Sequence, residues 1–183
     1  MRKSIAYISL SVIAGLLAAL SGVSCNTQGC TDNRSSIPLA QFYSYSTLES
    51  ISLDSLEITG VGAPDSAILL GPGSRVSEIH LPMRASENST SWCFAYRWKA
   101  LDDERNNDTL TFVYDAIPYF ASDECGAMYR YRITEVRYTR HLIDSVGVID
   151  SLITNVNDDD INIYFRTADE NTRSTDRHKI RMR

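Results

Sequence analysis

The side chains of this 183-residue chain that could do chemistry are four thiols, three imidazoles and an acidic run near the end. Cys25 is the best placed. Arg2 and Lys3 precede an apolar run from Ile5 to Leu20, and the small residues Ser21-Gly22-Val23-Ser24 lead into it. A charged start, an apolar stretch and small residues before a cleavage point make an export signal, so Cys25 is expected to become a new amino terminus carrying lipid on its thiol. The site resembles a bacterial lipobox, with Gly22 where many such boxes carry Leu. Two alternatives stay open: ordinary secretion, and an uncleaved anchor helix, since about 20 apolar residues match the hydrocarbon core of a bilayer.

Cys30, Cys93 and Cys125 then remain, an odd number for an oxidising compartment, which leaves one disulfide and one spare thiol. Cys30 with Cys125 is the expected bridge, because Cys93 falls inside an apolar strand pattern where a thiol behaves as a small hydrophobe. A catalytic thiol at Cys93 or Cys125 has no base near it in sequence. His80, His141 and His178 show no His-x-x-x-His spacing, and there is no Cys-x-x-Cys, so no zinc site is expected. His141 with Asp144 could form an acid–base pair or be an ordinary loop histidine near a carboxylate. Asn155 to Asp160 could offer oxygens to calcium through Asp158, Asp159 and Asp160. It lacks the glycine and closing glutamate of an EF-hand, and a solvated acidic turn is favoured. No lysine of a phosphate loop follows Gly71-Pro72-Gly73-Ser74 and no Gly-x-Ser-x-Gly elbow occurs, so no cofactor and no serine hydrolase chemistry are expected.

Once residues 1–24 are removed with their two cations, the formal charge moves from −5 to −7. An acidic body argues against nucleic acid as a partner, since phosphate neutralisation needs a basic face. Asn26 to Ser36 contains no aliphatic or aromatic side chain and is expected to be a tether over residues 25–36. Residues 37–166 form the body, and residues 167–183 a polar, basic-leaning tail.

The body reads as strands and turns. Leu56/Ile58, Ala67 to Leu70 and Val76 to Leu81 are separated by Gly- and Pro-rich breaks. Trp92, Phe94, Tyr96 and Trp98 occupy alternate positions, predicting four aromatic rings on the core face of one central strand. Asp102 to Asp108 is expected to be a polar turn joining that strand to Leu110/Phe112/Tyr114 as a hairpin. Tyr129/Tyr131/Ile133 and Val136/Tyr138 have opposite parity, which predicts a bulge near Thr134-Glu135. Ile161/Ile163/Phe165 closes the pattern. About eight strands in one all-β domain predict an antiparallel β-sandwich.

Cys25 and Cys30, Ile79-His80-Leu81-Pro82, the Trp92 to Trp98 strand, Leu110-Thr111-Phe112-Val113-Tyr114, Asp123-Glu124-Cys125-Gly126 and Ile161-Asn162-Ile163-Tyr164-Phe165 together resemble an uncharacterised Bacteroidetes lipoprotein family, known only as a domain of unknown function. The resemblance implies a lipid-anchored β domain in the cell envelope, with the outer membrane the expected destination, and supplies no activity or catalytic residue. Asp precedes Ser or Thr and an apolar residue at Ser55, Ser66, Thr109, Ser145 and Ser151. These five resemble the acceptor motif of Bacteroidetes periplasmic O-glycosylation, and equally fit turn chemistry at strand entrances.

The functional expectation is a non-enzymatic envelope module, membrane-bound through its lipid, that binds an envelope protein or a glycan. Tyr43, Tyr45, Tyr119 and Tyr164 are candidates for an aromatic patch, or ordinary sheet tyrosines. A fimbria-like surface component is an alternative. A polymer hydrolase ranks lower, since it would need two carboxylates facing each other across about 5–10 Å.

Overall fold

Alternating apolar residues commit the chain to strands, and one buried face on each of two sheets commits the sheets to each other. The computed structural model describes residues 36–64, 67–123, 125–155 and 159–166. Among them are ten strands: β1 (Leu39–Ser44), β2 (Leu56–Gly60), β3 (Ile68–Leu70), β4 (Glu78–His80), β5 (Ser89–Tyr96), β6 (Asp108–Ser122), β7 (Gly126–Tyr138), β8 (Ile143–Val148), β9 (Leu152–Ile153) and β10 (Asp159–Phe165). One sheet has the order β4-β1-β10-β8, the other β3-β2-β5-β6-β7-β9. The result is a β-sandwich with two strands that the sequence reading does not single out: β9 has only two residues, and β1 buries Ala40 and Ser44 on either side of Phe42, so its inward face carries little apolar signal.

One pairing departs from the antiparallel expectation. β1 lies parallel to β10, with Phe42 opposite Ile163 and Ser44 opposite Phe165. Parallel neighbours need a long crossover, and here almost the whole body separates the two strands.

Trp92, Phe94 and Tyr96 point into the core with Leu110, Phe112 and Tyr114. Trp98 does not: β5 ends at Tyr96, and Trp98 instead opens a turn in which its carbonyl accepts the Leu101 and Asp102 N–H groups at 2.7 and 2.9 Å, leaving the indole 58% exposed. The expected bulge is present. Val113 faces Glu135 while Tyr114 faces Ile133, so Thr134 is the extra residue, and its hydroxyl donates to the Val113 carbonyl at 3.1 Å. Tyr131 and Ile133 are buried before it, and Val136 and Tyr138 pack against the core after it.

Edge-to-face ring pairs knit the interior: Phe42–Phe165 at 5.3 Å, Trp92–Phe112 at 5.1 Å and Tyr114–Tyr131 at 5.2 Å between centroids. Such pairs contribute roughly 0.5–1.5 kcal/mol each beyond their area. Packing begins one residue earlier than the expected tether boundary: Ser36 is buried and its hydroxyl donates to the Tyr129 carbonyl at 2.6 Å.

β6 and β7 outrun their neighbours. β5 pairs with β6 only as far as Val113, and β9 pairs with β7 only at Tyr131 and Arg132. Ala116–Ser122 and Gly126–Arg130 therefore form a two-stranded arm, turned at Gly126 with φ +72°.

Candidate binding cavity

The sandwich opens at the end where β5 and β10 stop. Tyr96 and Phe165, the last residues of those strands, meet across the two sheets at 6.5 Å with an interplanar angle of 85°. Beyond them lies a cavity of about 450 Å³ walled by Ile51, Leu53, Trp98, Leu101 and Leu142, with Ser52, Asp54 and Arg166 as its polar rim. Ile51 and Leu53 are held by backbone hydrogen bonds, Ile51 N–H to Phe42 at 2.9 Å and a reciprocal pair between Leu53 and Val76.

A buried carboxylate organises the opposite wall. Asp108, expected in a solvated turn, is instead the first residue of β6 and fully buried. The polar turn before it is a short 3-10 segment, Glu104–Asn106, capped by Asp103. One Asp108 oxygen, Oδ1, accepts the Thr139 hydroxyl and the His141 N–H, both at 2.8 Å. Oδ2 accepts the Tyr96 hydroxyl at 2.9 Å and the Leu142 and Ile143 N–H groups at 2.8 Å. Five donors compensate a charge that burial would otherwise expel. They also join β5, β6, the end of β7 and the entry to β8, which sets Tyr96 and Leu142 against the cavity. Burial, then the adjacent Asp108 charge and its hydrogen bond, hold the Tyr96 phenol well above its ordinary pKa.

Arg166 is fixed at the rim. Its Nε donates to Asp144 at 3.1 Å, and its Nη1 to the Arg140 and His141 carbonyls at 3.1 and 3.3 Å. Arg140 reaches the same Asp144 oxygen at 3.5 Å. Asp144 thus takes two arginines rather than the His141 side chain, and of the two readings of His141 the loop histidine describes its exposed position, its backbone N–H going to Asp108.

The other candidate residues are dispersed. Cys25 and Cys30 lie outside the described residues. Cys125 is disulfide-bonded. Cys93 is free and half-buried in mid-strand, opposite Thr59 and Thr109, and burial raises its thiol pKa against the lowering effect of Arg97. Asp158 lies outside the described residues. Asp159 and Asp160 belong to β10 rather than to a loop, so they face opposite sides. Asp159 accepts from the Gln41 amide, and buried Asp160 accepts the Leu39 N–H at 3.1 Å. Those two carboxylates tie β1 to β10 and do not converge on a cation. Among the described residues no group of three His, Cys, Asp or Glu could hold a metal.

Of the five Asp-Ser/Thr positions, Ser66 lies outside the described residues and Ser151 is exposed beside β9. Ser55, at φ +55°, Thr109 and Ser145 are partly buried at or within strands. Tyr43 and Tyr164 pair on the outer face of their sheet with centroids 5.6 Å apart. Tyr45 is exposed just beyond, and Tyr119 lies in the arm beneath the Arg130 guanidinium at 4.1 Å. Sequence reasoning missed Asp108 and the role of Trp98. The signal for the first was Asp108 directly before the alternating Leu110/Phe112/Tyr114, which places it on the same inward parity.

The fold and this cavity define an all-β sandwich module with an apolar hollow opening at one end. Residues 55–165 match a family of unknown function (DUF6452), and the chain belongs to that family. The matched span runs from the entry of β2 to the end of β10, taking in Asp108, Tyr96, Trp98 and Leu142. No curated protein and no solved structure matches the chain.

Proposed function

We propose that this chain is a lipid-anchored, non-enzymatic binding module of the bacterial cell envelope, and that its cavity receives an apolar segment of an envelope protein. The observation that carries the reading is Trp98, whose indole stands 58% exposed at the mouth of an apolar hollow of about 450 Å³. Large exposed aromatics beside a desolvated pocket are the usual anchors of protein interfaces.

Leu48 supports the same end of the molecule. It is 66% exposed and held at φ +59° in the turn after β1, a backbone region a bulky residue rarely adopts. A saccharide would need several convergent polar groups. Here Arg166 is engaged with Asp144 and two carbonyls, and Asp54 sits 3.7 Å from Arg75. The lining therefore favours an apolar protein segment over a glycan.

Photocrosslinking from position 98 in intact cells tests this. The expected result is an adduct with one envelope protein that does not form from exposed position 132 and is lost when Leu53→Asp charges the cavity wall. Binding on a glycan array that disappears with Trp98→Ala would replace the reading with a carbohydrate-binding module.

A further inference from the structure

The end of the sandwich away from the cavity has its own apolar surface. On one face of the arm, register sets Ala116 opposite Tyr131, Pro118 opposite Tyr129 and Phe120 opposite Ala127. This face continues the core face that buries Tyr114 and Tyr131, and its outer part is open, with Phe120 and Tyr129 67% and 41% exposed. Ile149, 64% exposed, lies at the same end, since its N–H donates to Asp160 at 2.7 Å and Asp160 in turn binds Leu39 at the start of β1.

The chain enters the body at this end. Ser36 is hydrogen-bonded to Tyr129 within the arm. Cys25 precedes Ser36 by eleven residues, which span at most ~36 Å fully extended. β6, which runs from the cavity wall at Asp108 to the arm tip at Ser122, has 15 residues, about 50 Å of strand. The reach of a lipid at Cys25 is thus counted from Ser36 at the arm end, and it is shorter than the strand that separates that end from the cavity.

We propose that the arm end is a membrane-docking surface, with Phe120, Tyr129 and Ile149 entering the interface of the bilayer that holds the anchor. The inference rests on the lipid-anchor part of the proposed function. Aromatic rings with one apolar body are favoured at headgroup depth. Reversible seating of a few apolar side chains adds to acyl anchoring and fixes orientation, so that Trp98 and its cavity face outward.

The test uses the full acylated chain in phosphatidylcholine vesicles. Phe120→Trp and Tyr129→Trp, each with Trp98→Phe, place a reporter at the arm, the unaltered chain adds one from Trp98 at the opposite end, and Trp98→Phe alone gives the emission of buried Trp92 that is subtracted from each. Lipids brominated just below the headgroups are expected to quench positions 120 and 129 about two-fold, matching side chains seated roughly 5–10 Å into the boundary, and to leave Trp98 unquenched. Incorporation of a palmitate analogue, lost in Cys25→Ala, is read on the same samples. Labelling without quenching at either arm position overturns the docking surface and leaves the anchor standing. Absence of labelling overturns the anchor and the docking surface together. Emission at 120 that shifts blue with protein density, without quenching, would assign the patch to a second copy and overturn the membrane contact.

Discussion

The Tyr96 hydroxyl donates to Oδ2 of Asp108 at 2.9 Å, and both groups are buried where the two sheets part. One residue closes the aromatic strand and the other opens the next, so this hydrogen bond spans the hairpin behind the cavity. Its partner oxygen collects the Thr139 hydroxyl and the His141 N–H, which makes Asp108 the point where β5, β6, β7 and β8 are fastened together.

Asp108→Asn would set an amide N–H₂ against backbone N–H groups that need an acceptor. Stability is expected to fall by about 3 kcal/mol, the scale for losing hydrogen bonds to a buried charged group. Urea unfolding followed by tryptophan emission measures it, and a loss under about 1 kcal/mol would mean that Asp108 is not the fastening point.

Tyr96→Phe removes one of the five donors and is expected to cost about 1–2 kcal/mol at neutral pH. In the folded chain the Tyr96 pKa is raised, so the unfolded chain loses that proton first. Stability from the neutral phenol is complete below the ordinary value of about 10 and drains away as pH climbs from there toward the raised folded value. The gap between wild type and Tyr96→Phe should therefore narrow on going from about pH 8 to about pH 11. A gap independent of pH would contradict the buried, hydrogen-bonded phenol.

Phe165→Ala and Trp98→Ala should separate core from surface at the cavity. Phe165 contacts Phe42 and Tyr96 edge-to-face, and its loss is expected to cost about 3–5 kcal/mol. Trp98, mostly in solvent, should change stability by about 0.5 kcal/mol or less. Partner capture from position 98 should be the property that Trp98 governs, and a large thermal destabilisation in Trp98→Ala would make it a core residue instead.

Leu48→Gly relieves the left-handed backbone and is expected to stabilise the chain by about 1 kcal/mol. Partner capture should weaken in the same variant, because its exposed apolar side chain is gone. Stabilisation with unchanged capture would remove Leu48 from the interface.

Under native, non-reducing conditions Cys93 should alkylate slowly, since its thiol is half-buried with a raised pKa, whereas Cys125 should not alkylate at all. Peptide mapping of the unreduced chain is expected to recover a Cys30–Cys125 cystine. A cystine containing Cys93 would refute the assignment.

Much of this was legible in local pattern. Alternation at Trp92/Phe94/Tyr96, Leu110/Phe112/Tyr114 and Ile161/Ile163/Phe165 determined strands with one buried face, because successive side chains of a strand must point to opposite sides. The parity break between Ile133 and Val136 required the extra residue at Thr134 for the same reason. Only the tertiary structure decided which strands became neighbours, that β1 runs parallel to β10, and that Trp98 leaves the strand pattern to stand at a cavity mouth. It alone turned Asp108 from a presumptive turn residue into a buried acceptor. Local spacing reports which way a side chain points, whereas the five donors on Asp108 come from residues 12 to 35 positions away, and only long-range packing brings them within hydrogen-bond reach.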